Sequence, residues 1–146
     1  DANDQLNYDL YRGLLDTSFP AHLRAAAWRG LALSDAGQRA VLITTALLGG
    51  DRPTHVAALK PLRELSDADV LKACLAQWTS LPADSQLAVL DAHPKLGAEA
   101  RPTVRNATES PHLAVRVAAC QAQADLGDPN AIPALAKAAA QGMIGR

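Results

Sequence analysis

The sequence predicts an all-α fold, a right-handed α-solenoid of about four helical hairpins followed by a terminal unpaired helix. Three observations predict it. Helical periodicity runs nearly from end to end, with no alternating β-branched runs and no Asn-Gly or Asp-Gly hairpin turns. Pro20, Pro53, Pro82 and Pro111 recur at intervals of 33, 29 and 29 residues. Leu96-Gly97 recurs as Leu126-Gly127, 30 residues on. A signal repeated near 30 residues marks a repeat architecture.

The prolines read as helix starts. A first-turn proline loses nothing, because its missing N–H has no intrahelical partner there. Pro20-Ala-His-Leu, Pro53-Thr-His-Val and Pro111-His-Leu-Ala open three such segments, and the copy from Pro82 is looser. A second register supports the first: Ala100-Arg-Pro102-Thr-Val104 recurs as Ala131-Ile-Pro133-Ala-Leu135. Glycine after a helix permits the left-handed turn that closes it, so both Leu-Gly pairs are expected to make the same turn.

Helices are accordingly expected near residues 3–15 and 20–33, then 36–48 and 53–65, then 67–79 and 83–96, then 99–108 and 111–126. A ninth starts near residue 130 and has no hairpin mate. Pro61 and Pro94 should kink or end the second helices of the middle pairs. The buried stripe is expected at Leu23, Ala26, Ala27 and Leu31 in the first pair, and at Val115, Ala118, Ala119, Ala122 and Leu126 in the last. Trp28 and Cys120 take matching places, and Trp28 and Trp78 are read as core fillers.

Composition bounds the function. The 146 residues fit one domain, 1–146, and 49% apolar content argues against disorder. With aromatics at 3%, the core must be built from Ala, Leu and Val. The net charge of −1 argues against a general polyanion binder. Charge is unevenly spread: −3 over residues 1–19, +4 over 20–63, −4 over 64–91 and +2 over 92–146. Nucleic-acid binding is disfavoured because the basic block is followed by the acidic one. No apolar run approaches membrane length and no signal peptide is visible, so membrane insertion is not expected. The start at Asp1 and the end at Gly145-Arg146 read as those of a processed product or a piece of a longer protein. The Ala- and Arg-rich composition points to a GC-rich bacterial genome, and a monomer is expected.

Chemistry is sought and not found. Cys74 and Cys120 lie 46 residues apart, form no CxxC, and read as small core residues. His22, His55, His93 and His112 belong to no HExxH pattern; His22, His55 and His112 fall at helix starts as polar first-turn residues. Gly49-Gly50-Asp51 reads as a helix-to-helix turn, not a phosphate loop. Asp67 and Asp69 after Ser66, and Asp35 after Ser34, read as caps. No catalytic residue, metal ligand or cofactor is expected.

The stretch Leu-Gly-Asp-Pro-Asn-Ala-Ile-Pro-Ala-Leu at 126–135, with Leu-Ala-Val-Arg-Val-Ala-Ala at 113–119, carries a family resemblance. The segment from Leu96 to Ala140 resembles the HEAT-like repeats named after phycobilisome lyases. In that family the first stretch is the turn and first helix, and the second carries the Val-Arg pair opening the second helix. Leu23-Arg24 echoes that pair, whereas residues 56–57 and 87–88 lack the Arg, so the middle repeats are degenerate. Tetratricopeptide, ankyrin and armadillo patterns fit worse.

The resemblance implies a fold far more than a function. It is best met by a non-catalytic scaffold that holds a protein partner or a neighbouring domain of the same chain. Bilin-lyase-like activity and weak nucleic-acid binding are the alternatives. HEAT-like stacks usually line their concave side with second helices. That makes Arg24, Arg29, Lys60, Arg63, Asp91, Lys95, Arg116 and Gln123 the candidate interaction surface. Arg24 and Arg116 also carry a structural reading, as arginines bonding carbonyls or an Asp of an adjacent repeat.

Overall fold

A computed structural model describes residues 2–64, 67–92 and 97–142. Among them the secondary structure is wholly helical: nine α-helices and no strand. They are α1 (Ala2–Gly13), α2 (Ala21–Ser34), α3 (Arg39–Leu48), α4 (Arg52–Glu64), α5 (Ala68–Ala76), α6 (Ala83–Asp91), α7 (Arg101–Ala107), α8 (Leu113–Leu126) and α9 (Ile132–Ala140). Short 3₁₀ turns at Trp78–Ser80, Ala98–Ala100 and Pro129–Ala131 precede α6, α7 and α9.

The prolines do punctuate the helices. Pro20 and Pro82 take extended backbone (φ −55°, ψ 145° and φ −59°, ψ 157°) immediately before α2 and α6. Pro102 and Pro133 occupy the first turns of α7 and α9. Pro61 neither ends nor shortens its helix: α4 continues to Glu64, with Pro61 buried. Pro94 lies outside the described residues.

The two Leu-Gly pairs do not make the same turn. Gly127 closes α8 in the left-handed region (φ 57°, ψ 40°), donating its N–H to the Ala124 carbonyl. Gly97 is extended (φ −77°, ψ 177°). Gly97 leads into the Ala98–Ala100 turn.

The chain divides into two compact units, Asp1–Ala73 and Cys74–Arg146. In the first, α2 packs against α1, α3 and α4, and α3 packs against α4. Ala27, Trp28, Leu31 and Ala32 of α2 are buried with Ile43 and Leu47 of α3 and Ala58 and Leu62 of α4. The buried face of α2 is therefore turned from the expected one: Leu23 and Ala26 are exposed, and Trp28 and Ala32 replace them. In the second unit α8 packs against α6, α7 and α9. Val115, Ala119 and Ala122 are buried as expected, together with Cys120. Each fully buried leucine, such as Leu31, Leu47 and Leu90, stabilises its unit by about 1.5–3 kcal/mol.

Candidate functional site

An Arg–Asp tie recurs through the chain. In the first unit Arg24 Nη2 donates to Asp51 Oδ1 at 2.7 Å. Arg39 Nη1 donates to Asp67 Oδ2 at 3.1 Å. In the second, Arg105 Nη2 donates to Asp128 Oδ2 at 2.7 Å. Each aspartate also receives backbone N–H groups at a helix start: Thr54 N–H to Asp51, Asp69 and Val70 N–H to Asp67, Asn130 N–H to Asp128. The carboxylate thus satisfies orphan donors of a helix N-terminus and balances a guanidinium at once. The hydrogen bond from Arg24 holds the Asp51 carboxyl below the usual carboxylate range, and Arg105 does the same to Asp128.

The Arg24–Asp51 tie borders a cleft of about 350 Å³ in the first unit. Arg24 and Trp28 reach it from α2, and Val41, Leu42, Thr45 and Ala46 from α3. The Gly49–Asp51 turn, Thr54 of α4, and Leu15 and Thr17 after α1 complete the lining. Apolar side chains supply most of the wall. Asp51 is fixed by Thr54, whose hydroxyl also donates to the Asp51 carbonyl at 2.9 Å. Arg24 is fixed further by Nη1 donating to the Phe19 carbonyl at 2.6 Å.

Two N–H donors of this cleft's side chains have no acceptor. Trp28 is only 3% exposed, and its indole Nε1–H is buried without a partner. Arg24 Nε–H is buried and unpartnered as well. Buried donors are normally paired, so two orphans four residues apart on α2 are unusual.

The expected surface residues fall in both units and differ in exposure. Arg24 is half-buried and tied to Asp51, in line with its structural reading. Arg29 and Arg63 are exposed on α2 and α4, and Lys60 is exposed with its ammonium 3.7 Å from Glu64. Asp91 is exposed at the end of α6. Arg116 is half-buried, its Nη1 donating to the carbonyls of Ser110 and Pro111, and it borders a hollow of about 330 Å³ with Glu109 and Lys137. Gln123 belongs to no surface: it is 1% exposed, and neither amide atom has a partner. α8 packs against three helices at once, so too little of its circumference faces water to leave Gln123 in solvent. Lys95, like His93, lies outside the described residues.

The remaining candidates take structural places. His55 is buried, with Nδ1 3.2 Å from the Leu47 carbonyl at the end of α3; it is more than a polar first-turn residue. His22 and His112 are exposed at helix starts. Asp35 accepts from Gln38 N–H at 3.1 Å. Cys74 and Cys120 are buried and unbonded, and desolvation pushes the Cys74 thiol up to about 11, away from thiolate chemistry at neutral pH. Trp78 is half-buried and lines a second hollow, beside Leu81, Pro82 and His112.

Sequence reasoning missed the cleft walls. Asp51 had a usable signal: it stands three residues before Thr54, a capping spacing, and 27 residues after Arg24, close to one repeat. Val41, Leu42 and Thr45 carried none, since an apolar helix face reads the same whether it is covered or lines a hollow. Among the described residues no group of three His, Cys, Asp or Glu side chains could hold a metal ion. No helix among them is long and apolar enough to cross a membrane. No known family model, curated protein or solved structure matches the chain.

Proposed function

We propose that this chain is a non-catalytic interaction module whose units are built from HEAT-like helical hairpins, and that it holds a protein partner or a neighbouring domain of the same chain. The repeat-like character is supported by the ties Arg24–Asp51 and Arg39–Asp67, which span 27 and 28 residues and join equivalent helix starts. The interaction role rests on one observation above all. Leu6 and Leu10 stand one turn apart on α1 and remain 69% and 59% exposed. Two large apolar side chains on one helical face, left in water, mark a contact surface more than a monomer's solvated side.

The test is capture from a lysate with the wild-type chain and with a Leu6→Glu/Leu10→Glu variant. Both positions are solvent-exposed, so the variant should melt as the wild type does. One defined partner retained by the wild type and lost by the variant is the expected result. A partner held equally by both, or by neither, would count against the proposal.

A further inference from the structure

We propose that the hollow between α7, α8 and α9 of the second unit binds a phosphate monoester with an uncharged polar body, such as a sugar phosphate. Its volume of about 330 Å³ lies in the range of small-molecule sites, which begins at roughly 300 Å³. Arg116 of α8, Lys137 of α9, and Glu109 and Ser110 of the turn after α7 line it. Its charged lining is thus two cations and one carboxylate.

The two positive groups are held at one stretch of wall. Arg116 Nη1 donates to the Ser110 carbonyl at 2.9 Å, and Lys137 Nζ sits 3.1 Å from Glu109 Oε1. Glu109 and Ser110 are consecutive, so the guanidinium and the ammonium are anchored to adjacent residues. Arg116 is held by carbonyls, and no carboxylate of the described residues pairs with it. Its Nε–H and Nη2–H are unbonded and keep contact with solvent, whereas the Nε–H groups of Arg24, Arg101 and Arg105 are sealed. An anion arriving from solvent can therefore reach the Arg116 fork.

Charge and shape select the ligand. Lys137 and Glu109 balance each other, so the charge of Arg116 is left uncompensated in the hollow. That pair is 61% and 70% exposed, so an anion displaces Glu109 from Lys137 at little cost. The guanidinium, the ammonium and the Ser110 hydroxyl come from three separate elements. Such donors suit the tetrahedral oxygens of a phosphate monoester better than the two coplanar oxygens of a carboxylate. The adjoining hollow shares Glu109 and Lys137 and adds Asn106 and Asn130. Its remaining charged liner, Arg105, is already bound to Asp128 at 2.7 Å. Amides beside balanced charges suit an uncharged body rich in hydroxyl groups. The Leu6–Leu10 face belongs to the other unit, so the two proposals stand or fall separately.

The test titrates the ¹⁵N-labelled whole chain with the primary phosphate ester of glucose. With a dissociation constant of about 1 mM, the ester should move the Arg116 Nε–H and the Ser110 and Lys137 amide resonances in a saturable way. Glucuronate, which carries a carboxylate at the same carbon, should bind about tenfold more weakly. Glucose, which carries no charge, should not bind. Glu109 and Lys137 are exposed, so Glu109→Gln and Lys137→Ala should leave the rest of the spectrum unchanged. Glu109→Gln removes a repelling carboxylate and should tighten the ester about threefold, and Lys137→Ala should weaken it about tenfold. No saturable movement at these residues would overturn the proposal. So would equal binding of glucuronate or glucose, weaker binding in Glu109→Gln, or unchanged binding in Lys137→Ala.

Discussion

Arg24 Nη2 sits 2.7 Å from Asp51 Oδ1, tying the start of α2 to the start of α4 while Asp51 Oδ2 accepts the Thr54 N–H at 3.2 Å. One carboxylate is both helix cap and counter-ion. Asp51→Ala should therefore cost about 1–2 kcal/mol, most of it from the lost cap and the rest from a partly exposed ion pair. Asp51→Asn keeps a capping oxygen and should cost less than about 1 kcal/mol. A double-mutant cycle with Arg24→Ala in urea isolates the pair, with an expected coupling of roughly 0.5–1 kcal/mol. Strict additivity would mean that the two side chains do not cooperate in solution.

The same ties set an acid limit. Arg24 lowers the Asp51 carboxyl and Arg105 lowers that of Asp128, so folding favours both ionised forms. Their contribution is complete above the unfolded carboxylate pKa of about 3.9 and is lost as pH falls through the lower folded values. The melting temperature should fall steadily below about pH 4. An Asp51→Asn/Asp128→Asn variant should start lower at neutral pH and show a shallower acid slope. Parallel curves for the two proteins would place the acid sensitivity elsewhere.

Which features the sequence revealed depended on how local their cause was. Pro20 and Pro82 mark helix starts because a proline ring fixes its own φ, whatever surrounds it. Gly127 is left-handed where α8 ends directly before it, whereas Gly97, the glycine of the other Leu-Gly pair, is extended. Rotation about a helix axis is not local. α2 carries apolar residues on most of its circumference (Ala-His-Leu-Arg-Ala-Ala-Ala-Trp-Arg-Gly-Leu-Ala-Leu-Ser), so periodicity alone does not choose between Leu23 and Ala32 as the buried side. Contact with α1, α3 and α4 chooses Ala32. The cleft was illegible for a related reason: its walls come from three helices, and only packing leaves the space between them open.

Gln123 gives a prediction of opposite sign to most core substitutions. It is 1% exposed, with neither amide oxygen nor amide nitrogen partnered. Both groups lose water on folding and gain nothing in return. Methionine has a similar length and no strong polar group. Gln123→Met should raise stability by roughly 1–2 kcal/mol, read from the urea midpoint. A loss of stability would show that the amide has a partner, such as an ordered water, in solution.

Gly30 and Tyr11 test how α1 is held to α2. A Cβ built on Gly30 would stand 2.6 Å from Tyr11 Cζ, so the ring lies directly over the glycine. In an open helix Gly→Ala gains about 0.5–1 kcal/mol from reduced backbone freedom. Here the methyl must first push the ring away, and with it part of the α1–α2 contact. Gly30→Ala should therefore destabilise the wild-type protein or leave it unchanged. In a Tyr11→Ala background, where no ring opposes the methyl, the same substitution should recover the ordinary gain. Urea denaturation of the four proteins reads this directly, and hydrogen exchange in α1 shows whether that helix loosens first. Full stabilisation by Gly30→Ala with Tyr11 intact would mean that the ring does not rest on α2, and that α1 is joined to the unit by its other contacts.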